Sequence, residues 1–188
     1  MSSPPTTSPA STPAPTTTSP TISVVHDLSV PADPNAATMV EKLLAVKFEV
    51  KHLQLIANLA FGNDNMKKAI ASSPLIIKLI GYYTTTANPD VATTKSFCGA
   101  LRACTINSSP GRSQCRIPEL YTSFLNSLKN QPENRDEVIT TICAICMNDK
   151  ENCKLLKEAL GSEMDLKEFV DNDDERAKKV KFLKALME

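Results

Sequence analysis

Cys143 and Cys146 have the CxxC spacing of a zinc half-site or a redox dithiol. A zinc site would need a second such pair or two histidines, but the chain has no second CxxC and only His26 and His52. The pair also falls within 139–146, where apolar residues recur at helical spacing. We therefore expect buried, reduced cysteines in a helix, and a metal or thiol-redox protein is the weaker alternative.

Other catalytic arrangements are poorly supported. A cysteine nucleophile with His52 as its base is conceivable, but His52 is expected on the surface of a helix. The chain has no HExxH or GxSxG motif, and its 5 glycines form no phosphate-binding loop. The sequence thus predicts a protein that is not an enzyme, with no catalytic residues, no metal and no cofactor.

The first 21 residues are almost entirely Ser, Thr, Pro and Ala. Such a segment cannot bury enough apolar surface to offset its ordering entropy, so we expect disorder with polyproline-II character. Four hydroxyl residues in it precede a proline and are candidate sites for a proline-directed kinase: Ser3, Ser8, Thr12 and Ser19. Phosphorylation would add up to about two negative charges at each site, and the charged tail could then mask basic residues elsewhere.

Residues 22–35 carry a short apolar patch: Ile22, Val24, Val25, Leu28 and Val30. This patch is compatible with a simple linker, with packing against the first folded unit, or with a docking motif. We place the domain boundary after it, so that 1–34 is tail and linker and 35–188 is the folded domain.

The charge balance limits the partners and the compartment. Lys plus Arg equals Asp plus Glu at 21 each, and the pI is about 6.7. This balance does not favour nucleic acid or an anionic membrane. No apolar run approaches the ~18 residues of a membrane span, and the N-terminus lacks a signal-peptide pattern. We expect a soluble cytoplasmic protein, with the nucleus also possible.

Hydrophobic periodicity predicts helices throughout the folded domain, with no strand alternation longer than a few residues. Ser108–Gly111 is expected to interrupt the chain where a short helix should lie. The predicted helices start near 35, 74 and 118 or span 48–61, 64–70, 89–105, 134–147, 149–160, 163–171 and 174–187. The predicted fold class is all-α.

Four stretches align at repeat-like spacing. Anchored on Asn58, Ala103, Ile145 and Ala185, the steps are 45, 42 and 40 residues. This period is typical of armadillo or HEAT units, which bury their apolar faces against one another.

From about residue 36 to 188 the chain resembles the armadillo repeat family. The resemblance rests on Ala57-Asn-Leu-Ala60 followed by Asn65-Met-Lys-Lys-Ala-Ile70, on Ala100-Leu-Arg-Ala103, and on the 142–147 block followed by Asn152. HEAT repeats are the close alternative, and the short extra helices favour armadillo. The resemblance implies a right-handed superhelix of about three to four repeats.

In armadillo proteins the long third helices line a concave groove, in which an Asn ladder grips an extended peptide beside Trp-lined pockets. The ladder positions here are Asn58, Ala103, Ile145 and Ala185, and the Trp positions are Gln54, Gly99, Thr141 and Lys181. Only Asn58 keeps the ladder residue and the chain has no Trp, so a receptor for nuclear-import signals is disfavoured. The candidate partner-binding residues are Lys51, Gln54, Asn58, Ser96, Gly99, Thr141 and Lys181.

The leading functional hypothesis is a non-catalytic adaptor or scaffold that binds a protein or peptide in this groove. The alternative is a co-chaperone or GTPase regulator of the nucleotide-exchange type, which rests on fold analogy alone. The last helix is basic and could contact an acidic partner segment; its basic residues are Arg176, Lys178, Lys179, Lys181 and Lys184. The sequence does not indicate the oligomeric state.

Overall fold

The computed structural model describes residues 34–162 and 164–188, and within them all regular structure is helical. The all-α prediction is therefore confirmed for this part of the chain. The predictions for the tail, including Ser3, Ser8, Thr12 and Ser19, lie outside the described residues. No helix in the described ranges is long and apolar enough to cross a membrane.

In the described part of the chain, ten α-helices follow one another with short connections. They are α1 Pro34–Ala45, α2 Val50–Ala60, α3 Asp64–Ala71, α4 Leu75–Thr85, α5 Val91–Thr105, α6 Ser109–Ser113, α7 Pro118–Asn130, α8 Arg135–Cys146, α9 Lys150–Leu160 and α10 Asp174–Met187. Two 3-10 turns occupy Pro132–Asn134 and Leu166–Phe169.

Two sequence predictions about helices were wrong. Ser108–Gly111 does not break the chain, because Ser108 caps α6 by accepting a hydrogen bond from the Gly111 amide and Pro110 occupies its first turn. The helix predicted over 163–171 is reduced to the 3-10 turn at Leu166–Phe169.

The same turn closes α2, α5 and α8. Each helix ends at an apolar residue with extended backbone: Phe61, Ile106 and Met147. The next residue has a positive φ, at Gly62, Asn107 and Asn148, which glycine and asparagine tolerate best. The third residue caps the following short helix, as Asn63, Ser108 and Asp149 do for α3, α6 and α9.

This turn corrects the alignment of the third unit, which comprises α6, α7 and α8. It aligns Phe61, Ile106 and Met147, so the equivalent of Asn58 and Ala103 is Ala144 and the step to it is 41 residues. Burial agrees, because Ala103 and Ala144 are 7% and 6% exposed whereas Ile145 is fully buried. A further step of 41 leads from Ala144 to Ala185.

The helices pack in rows that follow chain order. The long helices α2, α5, α8 and α10 contact one another in sequence, as do α1, α4 and α7. The short helix α3 packs against α1, α2, α4, α5 and α6, and α9 packs against α7, α8 and α10. Buried aliphatic and aromatic side chains fill the space between the rows.

The spacing of apolar residues predicts a buried face on α2 and on α5. Leu53, Ile56 and Ala60 are fully buried, and so is Leu101. Its helical spacing from Ile56 predicts that Leu59 is also buried, but Leu59 is only half-buried, since it lies at the N-terminal end of the rows of helices.

Candidate protein-binding surface

The long-helix surface is defined here as the outward positions of α2, α5, α8 and α10 that follow the corrected register. Along one line these positions are Gln54, Gly99, Thr140 and Lys181, and along the next they are Asn58, Ala103, Ala144 and Ala185, of which Ala103 and Ala144 are almost buried. Because equivalent residues of packed neighbouring helices lie about 8–10 Å apart, each line extends across the whole row.

On α2, all three predicted binding residues are accessible. Lys51, Gln54 and Asn58 are exposed and lie one helical turn apart on the same face. Lys51 pairs with Glu49 at 2.8 Å, and this contact lowers the pKa of the exposed Glu49 carboxyl. The amides of Gln54 and Asn58 are each able to donate and accept hydrogen bonds with a ligand backbone.

On α5 and α10 the predicted residues are also at the surface. Ser96 and Gly99 are partly exposed, and Lys181 is exposed. Sequence reasoning missed Lys95, which is exposed one residue before Ser96. Within the described part of the chain, Lys95 and Lys181 form no ion pair, so both ammonium groups are available to a ligand.

The prediction for Thr141 was wrong. Its side chain is fully buried, and its hydroxyl donates to the Glu137 carbonyl at 2.8 Å and lies 3.4 Å from the Cys98 carbonyl of α5. Thr141 therefore joins two helices and does not face a ligand. The surface position belongs to Thr140. The capping turn that follows α2, α5 and α8 aligns Thr140, and not Thr141, with Gln54 and Gly99.

Polar contacts fix the neighbouring helices of the long-helix surface to each other. Arg102 of α5 binds Glu137 of α8 at 2.9 Å. Lys179 of α10 binds Asp136 at 2.6 Å and the Thr140 hydroxyl at 2.9 Å. Both carboxylates of α8 are thus paired with basic side chains of neighbouring helices.

The positions nearest the middle of the surface carry small side chains. Gly99, Ala103 and Ala144 follow one another on α5 and α8, and a Cβ added at Gly99 would meet no atom within 4 Å. Small side chains allow the backbone of a ligand to approach the helices closely. The hydrogen-bonding amides of α2 border these small residues on one side and Lys181 borders them on the other.

The six cysteines are buried or half-buried among the helices. All six are free thiols, and burial raises the pKa of Cys98 and Cys104 to about 12. Cys146 is buried, whereas Cys143 is half-buried and its thiol points at the Lys179 carbonyl, 3.8 Å away. Burial raises the pKa of Cys143 to about 11 despite the nearby Lys179, so its thiol stays protonated at neutral pH.

The described residues contain no group of three His, Cys, Asp or Glu side chains that could hold a metal ion. His52 is used locally, since its Nδ1 accepts a hydrogen bond from the Glu49 amide at 3.2 Å in the capping box of α2. The CxxC and His52 therefore take part in helix packing and capping in this structure.

No model of a known protein family matches the chain, and no curated protein matches it significantly.

Proposed function

We propose that this protein is a non-catalytic adaptor that binds an extended segment of a partner protein along the long-helix surface. In this proposal the rows of helices form an armadillo-like right-handed superhelix, and the long-helix surface is its concave side. The supporting observation is the register of 45, 41 and 41 residues, which repeats equivalent outward positions on four successive long helices.

The chemistry of the surface favours an extended backbone as the ligand. Asn58 and Gln54 offer amide donors and acceptors at one end. Gly99 leaves space beside α5, since a Cβ added there would meet no atom within 4 Å, and Ala103 and Ala144 each carry only a methyl group. An extended peptide rises about 3.3 Å per residue, so the four-helix row accommodates roughly eight to ten residues.

Charge adds a preference for acidic side chains in the partner. The carboxylates of Asp136 and Glu137 are already bound to Lys179 and Arg102. Lys95 and Lys181 are exposed and make no ion pair among the described residues. A carboxylate of the partner near either lysine would be attracted, mostly through a faster and more salt-sensitive association.

The test is selection of peptides from a displayed random library on the full chain. We expect wild-type protein to enrich a shared motif and Asn58→Ala with Gln54→Ala to lose at least about tenfold in affinity for it, because hot spots occupy few positions. The matched control is Asn126→Ala with Asn130→Ala, two exposed amides on α7. All variants should retain thermal stability within about 1 kcal/mol, as surface substitutions usually do.

Equal binding by the two double variants would place the binding site elsewhere on the molecule. No enrichment by folded wild-type protein would count against recognition of a linear segment.

A further inference from the structure

The N-terminal end of the rows of helices exposes apolar side chains that the inner units bury. Met39 on α1 is 37% exposed and Leu55 on α2 is 43% exposed, while Leu59 on α2 is half-buried. We call these three residues the N-terminal apolar face. The equivalent residues of the following units show how these positions are packed when a neighbouring element is present.

The residues equivalent to this face are fully buried in both inner units, which are α3–α5 and α6–α8. Leu55 corresponds to Ala100 and Thr141, and Leu59 corresponds to Cys104 and Ile145, all 0% exposed. The buried residues of α1 match those of α4 and α7 in spacing, which makes Leu79 and Phe124 the equivalents of Met39, again at 0% exposure. The N-terminal apolar face is therefore a packing surface that lacks its covering element within the described residues.

In the inner units a short helix supplies part of that cover. The short helix α3 precedes α4 and α5 in the chain and packs against both of them. Its buried residues include those three, four and seven positions after the cap, Met66, Lys67 and Ile70, together with the small Ala69 and Ala71. The short helices α6 and α9 bury the same three positions after Ser108 and Asp149.

The chain before α1 carries this pattern at the matching distance. Counted from Thr21, the residues three, four and seven positions later are Val24, Val25 and Leu28. Thr21 precedes the first residue of α2 by 29 residues, and the short-helix caps Asn63, Ser108 and Asp149 precede α5, α8 and α10 by 28, 27 and 25. Threonine is also a suitable N-cap residue.

We propose that Ile22–Val30 docks on the N-terminal apolar face as the short helix of the first unit, with Val24, Val25 and Leu28 turned inward. Its last residue lies four positions before Pro34, where α1 begins. A tether this short holds the segment near the face at an effective concentration of order mM. The folded domain then begins near Thr21, and the Ser/Thr/Pro-rich tail precedes it.

Hydrogen exchange measured by mass spectrometry on the full chain tests this assignment. Val25→Asp with Leu28→Asp places two charges at inward positions. We expect peptides that contain Met39 and Leu55 to exchange about tenfold faster or more in this variant, because apolar cover is lost. Peptides from 22–30 should be protected in wild-type protein and unprotected in the variant.

The matched control is Ile22→Asp with Ser23→Asp, which adds the same charge at the first two positions after Thr21. The corresponding residues of the other short helices are exposed: Asp64, Asn65, Ser109, Pro110, Lys150 and Glu151. This control should exchange like wild-type protein.

Unprotected 22–30 peptides in wild-type protein, or identical effects of both double variants, would overturn the proposal. Protection of the N-terminal apolar face that rises with protein concentration, with a dimer in sedimentation, would assign the face to a second copy instead.

Discussion

The middle of the molecule and its C-terminal end are stabilised by different interactions. In the middle, the rings of Tyr83 and Phe97 stack at 4.0 Å, and Phe124 lies 6.1 Å from both. All three side chains are fully buried. At the C-terminal end, α10 buries only Val180 and Leu183.

Ion pairs attach α10 and the turn before it to the rest of the protein. Asp171 accepts from Arg135 of α8 and from Arg176 of α10, the latter at 2.6 Å. Lys179 binds Asp136 and Lys184 binds Asp165, both at 2.6 Å. Solvent-exposed pairs of this kind contribute about 0–1 kcal/mol each and are screened by salt.

The two regions should therefore respond to different perturbations. Apolar burial depends little on pH and ionic strength, whereas partly exposed ion pairs depend on both. The C-terminal unit should therefore open locally at a lower free energy than the middle unfolds. The following substitutions test that contrast in order of decreasing effect.

Phe97→Ala should lower the free energy of unfolding by about 3–5 kcal/mol, because it removes a buried ring and leaves a cavity. Denaturant unfolding measures this loss. Phe182→Ala on α10 is the control, since Phe182 is 44% exposed, and it should stay within about 0.5 kcal/mol of wild type. Similar losses for the two variants would remove the contrast between the regions.

Leu183→Ala should lower the stability of α10 by about 2–3 kcal/mol through the loss of a buried side chain. Its effect on global unfolding should be smaller than that of Phe97→Ala, because α10 can open while the middle stays folded. Hydrogen exchange checks this: amides of α10 should exchange faster and amides of α5 should not change. Faster exchange in both helices would mean that the protein unfolds as one unit.

Tyr83→Phe should cost about 1 kcal/mol, because the buried Tyr83 hydroxyl shares a hydrogen bond with Ser127 at 2.7 Å. Burial raises the pKa of Tyr83 from 10.0 to about 12. The contribution of Tyr83 to stability is therefore lost from wild-type protein, and has no counterpart in the variant, as pH rises from about 10 to about 12. The stability difference should shrink over this range in denaturant titrations, and a constant difference would contradict the buried position of the hydroxyl.

Asp171→Asn should have the smallest effect, confined to the C-terminal unit. The hydrogen bond from Arg135 and the charges of Arg135 and Arg176 hold the pKa of Asp171 below its ordinary value. Its stabilising contribution is thus present above about pH 4 and is lost as pH falls through the lower folded-state pKa.

Hydrogen exchange of α10 at pH 7 should be faster in this variant at low salt, and the difference should fade in about 1 M salt, where the Debye length is roughly 3 Å. A difference that persists at high salt would assign Asp171 a role in packing rather than in charge pairing.

Much of the fold was predictable because local signals determine it. Asp90, Pro118 and Asp149 start helices where capping rules place them, and the apolar spacing of α2, α5 and α8 predicts their buried faces. The short α6 was missed because the Pro-Gly pair resembles a breaker. In the structure the proline lies in the first turn, where its missing amide costs nothing.

The candidate surface was predicted only in part. Lys51, Gln54, Asn58, Ser96, Gly99 and Lys181 lie at the surface as expected, and their role in binding stays a prediction. The prediction for Thr141 was wrong because an error of one residue in the repeat alignment rotates a helical position by about 100°. The capping turn after each long helix provides the better anchor, since its backbone conformation restricts the residue types.

Most helix starts and caps and the approximate spacing of the units follow from the sequence alone, because they depend on propensity and periodicity between residues close in the chain. Which outward residues stay accessible, such as Thr140 instead of Thr141, and which charges are already paired depend on how the helices pack. Those properties depend on neighbours about 40 residues away, and the spacing of residues along one helix carries no information about them.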